Sequence, residues 1–386
     1  MIKRKLRMGM IGGSLDAFIG AVHRRAANLD GEIELVCGAF SSNAEKSKAA
    51  GKALYLNPKR VYGSYQEMIM VEKNLPADER MDFVSIVTPN HVHFDPAKMA
   101  LENGFHVIID KPLSFNVKEA KDLQKIVQKT GLILALTHTY TGYPLVKEAR
   151  AIVKSGRLGK VRKVYVEYPQ GWLSTFLENS GQKQASWRTD PARSGAGGAI
   201  GDIGTHAANL AEYITGGTIT EICAQLNIVV KGRQLDDDSS MLLKFDNGAS
   251  GILMATQVAA GEENNLNIRV YGEKGGLSWR QEEPNTLELK WLDKPKEILR
   301  TGWGYLSDRA KENTRTPNGH PEGYLEAFAN IYKNFGNAVR DFKPGKSINY
   351  ERYDFPDVAD GVRGMMFVEH VVKSSASKSK WTKIKY

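Results

Sequence analysis

Three short stretches hold residue types suited to an anion, an alkoxide and a proton. The first is the glycine turn Met8-Gly9-Met10-Ile11-Gly12-Gly13-Ser14, followed by Phe18, Ile19 and Gly20. Glycines let backbone approach a pyrophosphate, and a helix start presents N–H groups to it. The spacing is not a clean G-x-G-x-x-G, because Gly12 and Gly13 are adjacent and the next glycine is Gly20. Its place after the first apolar run, ahead of a helical pattern, makes Gly12, Gly13 and Ser14 candidates for phosphate contact. The second stretch, Val107-Ile108-Ile109-Asp110-Lys111-Pro112, ends a strand-like run. Ligands of open α/β sheets bind at the carboxyl ends of strands, where Lys111 could polarise a hydroxyl and stabilise alkoxide charge. A lysine in a surface turn is the competing reading. The third stretch runs from Gly195 through Asp202 to His206. Four residues apart at a helix start, Asp202 and His206 share a face. An imidazole is a natural base near neutral pH, and a neighbouring carboxylate can orient it. An N-terminal Asp beside a satisfied His also fits, and so does a metal pair, although no third ligand stands out; we expect no metal.

These residues need elements to position them. In the first third, apolar runs at 8–12, 33–40, 83–87, 105–109 and 132–136 alternate with helical patterns at 18–29, 43–51, 64–73, 95–103 and 117–129. That alternation predicts βαβ units and a parallel sheet with helices on both faces. Ser64, with Glu67 three residues later, is a candidate cap. After Pro144 the pattern changes. Helices are predicted at 145–155, 201–215, 321–340 and 358–373. Strands are predicted at 161–168, 219–230, 239–245, 250–257, 266–272 and 286–290, with turns at Asp246-Asn247-Gly248 and Gly275-Gly276. The expected fold class is α/β. An N-terminal dinucleotide-binding domain over 1–140 is followed by an α+β domain over 141–386, with a large, mostly antiparallel sheet.

The composition narrows the function classes. A chain of 386 residues with 41% hydrophobic and 25% charged residues is ordinary for a globular protein, which excludes collagen, coiled coil and wholesale disorder. Cys37 and Cys223 are the two cysteines, too few for a disulfide scaffold or a four-cysteine zinc site. The net charge of +9 is partly local to both ends, so solvated termini explain much of it and nucleic acid is not an expected partner. No apolar run suits a signal peptide or a membrane span, which gives the expectation of a cytoplasmic protein with no membrane partner. The end of the second strand reads Ala39-Phe40-Ser41-Ser42-Asn43, without the acid that grips the ribose of NAD. Ser41 is the candidate contact there, and NAD or NADP remains open.

In combination the chain resembles the glucose–fructose oxidoreductase / inositol dehydrogenase / rhizopine-catabolism (Gfo/Idh/MocA) family. Four stretches match in order: the glycine turn, Thr88-Pro89-Asn90-His91-Val92-His93, Asp110-Lys111-Pro112, and Gly197 to His206. The resemblance implies a Rossmann domain, and a second domain whose open sheet builds a homodimer or homotetramer. It also implies NAD(P)-dependent hydride transfer with the secondary hydroxyl of a sugar, inositol or related polyol. His206 would be the base, Lys111 would polarise the hydroxyl, and Asp202 would support both. Thr88, Pro89, Asn90, His93, Asp110 and Lys111 would lie beside the cofactor, which Phe18 and Ile19 would cover. Tyr143, Trp187, Arg188 and His320 are candidate substrate contacts, each with a packing or capping alternative. Two other functions stay open: redox-assisted glycoside cleavage with retained NAD, and a non-catalytic nucleotide-sensing regulator.

Overall fold

A computed structural model describes residues 3–178, 180–346 and 348–386. The chain forms two compact units, Met1–Thr139 with Phe328–Val362, and Tyr140–Ala327 with Arg363–Tyr386. It therefore crosses three times, where the sequence suggested one boundary near 140. The second and third crossings fall inside or beside long helices, where composition does not change.

The first unit holds a five-stranded parallel sheet in the order β2-β1-β3-β4-β5. Its strands are β1 (Leu6–Gly12), β2 (Ile33–Ala39), β3 (Phe83–Val87), β4 (His106–Ile109) and β5 (Leu134–Leu136). Met10, Val84, Ile86, Val107, Ile108 and Leu134 are all fully buried. Both strand faces are covered, as continuous apolar runs in a parallel sheet require. The helices between strands are α1 (Phe18–Asn28), α2 (Ala44–Ala53), α3 (Tyr65–Asn74), α4 (Phe94–Glu102) and α5 (Val117–Thr130). Their starts follow from local chemistry. Asn43, Ser64 and Asn116 accept the backbone N–H of Lys46, Glu67 and Glu119, satisfying donors that a helix leaves unpaired. Gly131 ends α5 at φ 68°, a left-handed conformation that glycine adopts without strain.

The second unit is built on nine strands in the order β13-β12-β11-β10-β6-β9-β8-β7-β14. They are β6 (Val161–Pro169), β7 (Ile219–Asn227), β8 (Asp238–Phe245), β9 (Ser250–Thr256), β10 (Asn267–Gly272), β11 (Gly275–Arg280), β12 (Thr286–Trp291), β13 (Glu297–Arg300) and β14 (Thr382–Lys383). Every pairing is antiparallel except β6 with β9. In β8 buried and exposed residues alternate, so one sheet face is packed and the other is not. The helices are α6 (Pro144–Lys154), α7 (Lys183–Arg188), α8 (Pro191–Ser194), α9 (Thr205–Thr215) and α10 (Asp308–Glu312). Three more close the chain: α11 (Tyr324–Asp341), α12 (Tyr350–Tyr353) and α13 (Val358–Ala376).

Two expectations need correction. Gly275-Gly276 is not a turn but the start of β11. A Cβ on Gly275 would strike the Lys290 carbonyl, and one on Gly276 would lie 2.7 Å from the Tyr271 ring, so close strand approach explains both glycines. The helix predicted over 201–215 is regular only from Thr205; Ile200–Gly204 forms a wide π-type turn before it.

Candidate active site

In the first unit the glycine turn closes tightly. Gly12 and Gly13 have φ of 81° and 70°, conformations open to glycine. A Cβ on Gly20 would collide with the Gly13 backbone. Gly20, in the first turn of α1, thus lets the helix seat against the strand end, the packing role of the last glycine in a dinucleotide fingerprint. The Arg24 guanidinium braces the turn by donating to the Gly13 carbonyl at 2.6 Å. Ser14 Oγ donates to the Asp16 carboxylate. Phe18 is 68% exposed at the start of α1, and Ile19 beside it is half-buried. Two positive-φ glycines and a helix start with no room for a Cβ make a cradle that fits a dinucleotide pyrophosphate. Ser41, just past β2, accepts the Asn43 N–H at 3.2 Å.

At the ends of β3 and β4 two loops are tied together. His93 Nδ1 lies 2.7 Å from the Pro112 carbonyl and Nε2 lies 2.8 Å from the Thr88 carbonyl. The ring is fully buried, and burial pushes its pKa down despite the Asp110 charge. The expectation that His93 meets the cofactor is therefore revised: the fully buried ring faces the Thr88 and Pro112 carbonyls, a neutral imidazole donates to one of them, and the residue packs between the two loops. Thr88 and Pro89 are half-buried, and Asn90 is buried. Asp110 accepts the Thr137 hydroxyl at 2.8 Å. Burial alone would raise its pKa, but His23, Lys111 and His93 hold it well below the carboxylate range. Lys111, half-buried, follows Asp110 directly and precedes a cis peptide to Pro112.

In the second unit Asp202 lies in the π-type turn and His206 in the first turn of α9. Asp202 Oδ2 accepts Gln257 Nε2 at 2.9 Å and lies 3.2 Å from Arg188 Nε. The Arg188 guanidinium sits 4.4 Å over the Trp187 ring and also donates to Gln184. The buried His206 ring packs edge-on against Tyr140 at 4.9 Å and Tyr168 at 6.4 Å. The two tyrosine hydroxyls bond each other, and Tyr168 donates to Asn264 Oδ1 at 2.8 Å. Gln170 Nε2 donates to the same oxygen at 2.6 Å, and Trp172 Nε1 donates to Gln170 Oε1 at 3.0 Å. Burial raises the pKa of both tyrosines, so they remain neutral phenols.

The backbone ahead of Asp202 is held from the loop just before β8. Asp236 accepts the N–H of Gly198 at 2.7 Å and of Ile200 at 2.8 Å, one on each carboxylate oxygen. A Cβ on Gly198 would strike the Asp236 carbonyl, which explains that glycine. Burial pushes Asp236 up to about 6 against those two N–H groups, with the Asp237 charge adding to the rise. Asp237 accepts the Val229 and Val230 N–H groups and pairs with buried Arg233, which also holds Glu178.

Two family models match, in order and without overlap. Residues 6–138 match the oxidoreductase family, NAD-binding Rossmann fold, and residues 146–278 match the GFO/IDH/MocA C-terminal domain. An uncharacterized oxidoreductase of Bacillus subtilis (strain 168), YfiI, is 31% identical over 388 residues, spanning 100% of this chain and 98% of its own. The chain belongs to the GFO/IDH/MocA oxidoreductase family. Its first unit is accordingly an NAD-binding Rossmann fold. An inositol dehydrogenase homolog from Azotobacter vinelandii complexed with NAD+ superposes with a TM-score of 0.91 at 32% identity, over 99% of this chain and 98% of that one. The same homolog is known with NADH and myo-inositol, at a TM-score of 0.89 and equal identity and coverage. An oxidoreductase from Sinorhizobium meliloti is 43% identical, with a TM-score of 0.88 over 99% of this chain and 100% of that one.

Of the candidate residues of this GFO/IDH/MocA chain, Asp202, Arg188 and Trp187 fall in one cluster, with His206 on the helix that follows. Tyr143 departs from its expected role. It is 1% exposed, stacks on Tyr140 and packs against Trp279, and its hydroxyl takes only a 3.4 Å bond from Gln281. It is a core residue. His320 is exposed in a turn whose N–H bonds the Pro317 carbonyl. Sequence reading missed Gln170, Gln257, Asn264, Tyr140, Tyr168 and Asp236. One signal was present: Gln170 and Gln257 each directly follow a strand. Only the parallel β6–β9 pairing, Pro169 opposite Thr256, makes those two strand ends neighbours. Among the described residues no group of three or more His, Cys, Asp or Glu could hold a metal ion. Both cysteines are free thiols, and among the described residues no helix is long and apolar enough to cross a membrane.

Proposed function

We propose that this GFO/IDH/MocA protein is an NAD-dependent dehydrogenase that oxidises a secondary hydroxyl of a sugar, inositol or related polyol to a ketone. The observation that carries the reading is the Asp202 cluster: a carboxylate held by Gln257 and Arg188, one helical turn before a buried histidine. The Azotobacter homolog crystallised with NADH and myo-inositol supports the substrate class.

Bound NAD supplies a hydride acceptor at nicotinamide C4. His206 takes the hydroxyl proton as the carbinol C–H bond breaks, and the C=O bond forms from the electrons of the O–H bond. Asp202 stabilises the imidazolium, and its orientation is fixed by Gln257. Lys111 stabilises the alkoxide-like oxygen by charge. The Gly12-Gly13 turn and the start of α1 would hold the pyrophosphate, with Thr88, Pro89 and Asn90 lining the nicotinamide and Ser41 the adenine ribose. Arg188 and Trp187 contact the polyol, and His93 and Asp110 hold loops in place. The same reading makes the protein a homodimer or homotetramer through the open sheet face, which a light-scattering mass tests.

The test is nicotinamide fluorescence of the purified protein with NAD and with NADP, against a panel of inositols, sugars and glycosides. A rise with a free polyol supports the dehydrogenase. Glycoside cleavage without added cofactor or net reduction replaces it with the lyase-like reading. Cofactor binding with silence across the panel replaces it with a sensor.

A further inference from the structure

The proposed mechanism leaves His23 unused. This residue lies inside α1, the helix whose start forms the cofactor cradle, and is fully buried. Its ring is set edge-on against Phe328 at 4.7 Å and Tyr332 at 5.8 Å. Nδ1 lies 2.7 Å from the Tyr332 hydroxyl, which in turn lies 2.8 Å from Ser85 Oγ in β3. Nε2 faces Asp110 Oδ1 at 3.6 Å, the oxygen that also accepts the Thr137 hydroxyl.

The contacts form one connected chain from Ser85 through Tyr332 and His23 to Asp110. A bare Nε2 would point a lone pair at a carboxylate, so Nε2 carries the proton. In the tautomer with a bare Nδ1, that nitrogen accepts from Tyr332. The Tyr332 oxygen is left to accept from Ser85. Nε2 has no hydrogen-bond partner within normal range, so the 3.6 Å approach to the Asp110 carboxylate is the interaction open to it. The chain ends on Asp110, whose backbone N–H is tied to Ile86 and whose next residue is Lys111. From the other side, His93 holds the Pro112 carbonyl.

We propose that His23 is a positioning residue. Through Asp110 it fixes the turn from which Lys111 projects, and it links that turn to the helix that receives the cofactor. The inference rests on the catalytic reading of Lys111. A core histidine with a purely packing role would tolerate any ring of similar size. A positioning histidine needs a donor at the Nε2 position, which glutamine supplies and phenylalanine does not.

The experiment compares His23→Phe and His23→Gln with the wild type. The first readout is the rate of Lys111 acylation by acetic anhydride, followed by mass spectrometry, together with the dissociation constant of NADH. In His23→Phe we expect the Lys111 rate to change at least about threefold, the NADH constant to stay within about threefold, and His23→Gln to return to the wild-type rate. An unchanged Lys111 rate in folded His23→Phe overturns the proposal, as does an equal change in both variants. Should His23→Phe fail to fold, Tyr332→Phe removes the partner hydroxyl while keeping the ring. A change of at least about threefold in the Lys111 rate is then expected, and a wild-type rate overturns the proposal. Turnover of the best panel polyol separates the two readings. A fully active Lys111→Ala sinks the catalytic role of Lys111, whereas an inactive Lys111→Ala beside a fully active His23→Phe sinks only the inference about His23.

Discussion

Replacing Asp236 by asparagine tests how the backbone ahead of Asp202 is held. The carboxylate spends both oxygens on N–H groups, yet burial moves its pKa from 3.8 to about 6. A carboxyl raised in the folded state binds its proton more tightly there than in the unfolded chain. Its stabilising contribution is therefore complete below 3.8 and lost as the pH rises through about 6. A shift of about two units corresponds to roughly 3 kcal/mol across the whole window. About 2 kcal/mol of that develops between pH 7.5 and pH 4.5. The asparagine variant lacks this titration while every other group is shared. Urea unfolding of both proteins at the two pH values, at fixed ionic strength, isolates it. The stability difference between them should move by about 2 kcal/mol in favour of the wild type on acidification. Parallel behaviour, with the difference constant to about 0.5 kcal/mol, would falsify the account of Asp236 as a carboxylate whose burial outweighs its two N–H bonds.

Other expectations follow from the same geometry. Lys111→Ala and His206→Ala should each lower turnover of the best polyol by about 100-fold or more, the scale of general acid–base loss, while NADH still binds in a fluorescence titration. Gly20→Ala puts a methyl group into the Gly13 backbone, so NADH affinity should fall about tenfold or more, equivalent to about 1.4 kcal/mol, with little change in turnover at saturating cofactor. Tyr143→Phe removes a hydroxyl whose one bond is 3.4 Å long, so kcat/KM should stay within about threefold, and a larger loss would restore Tyr143 to the substrate site. Gln257→Leu strips Asp202 of its 2.9 Å donor and should lower kcat and alter its pH profile, whereas an unchanged profile would mean that Gln257 does not orient the carboxylate.

Much of the fold was open to periodicity. The five strands of the first unit and the helices α1, α3, α4 and α5 lie within a few residues of their predicted spans, because each element carries its own pattern and cap. Strands β11, β13 and β14 were missed. The first opens on two glycines that resemble a turn, and the other two are short edge segments with weak alternation.

Sequence by itself determined the family, the order of the motifs and the chemistry available at Lys111, Asp202 and His206. Residue type and local spacing decide those, and both are written along one chain. What each side chain meets was decided by tertiary structure alone. His93 and Tyr143 carried polar groups that sequence reading offered to ligands, and packing gave those groups to the backbone and to Gln281. Gln257 and Asp236 reach the Asp202 turn across 55 and 36–38 residues of chain. Such contacts depend on which strands pair and in what register, a choice made by the whole sheet as it buries its apolar face.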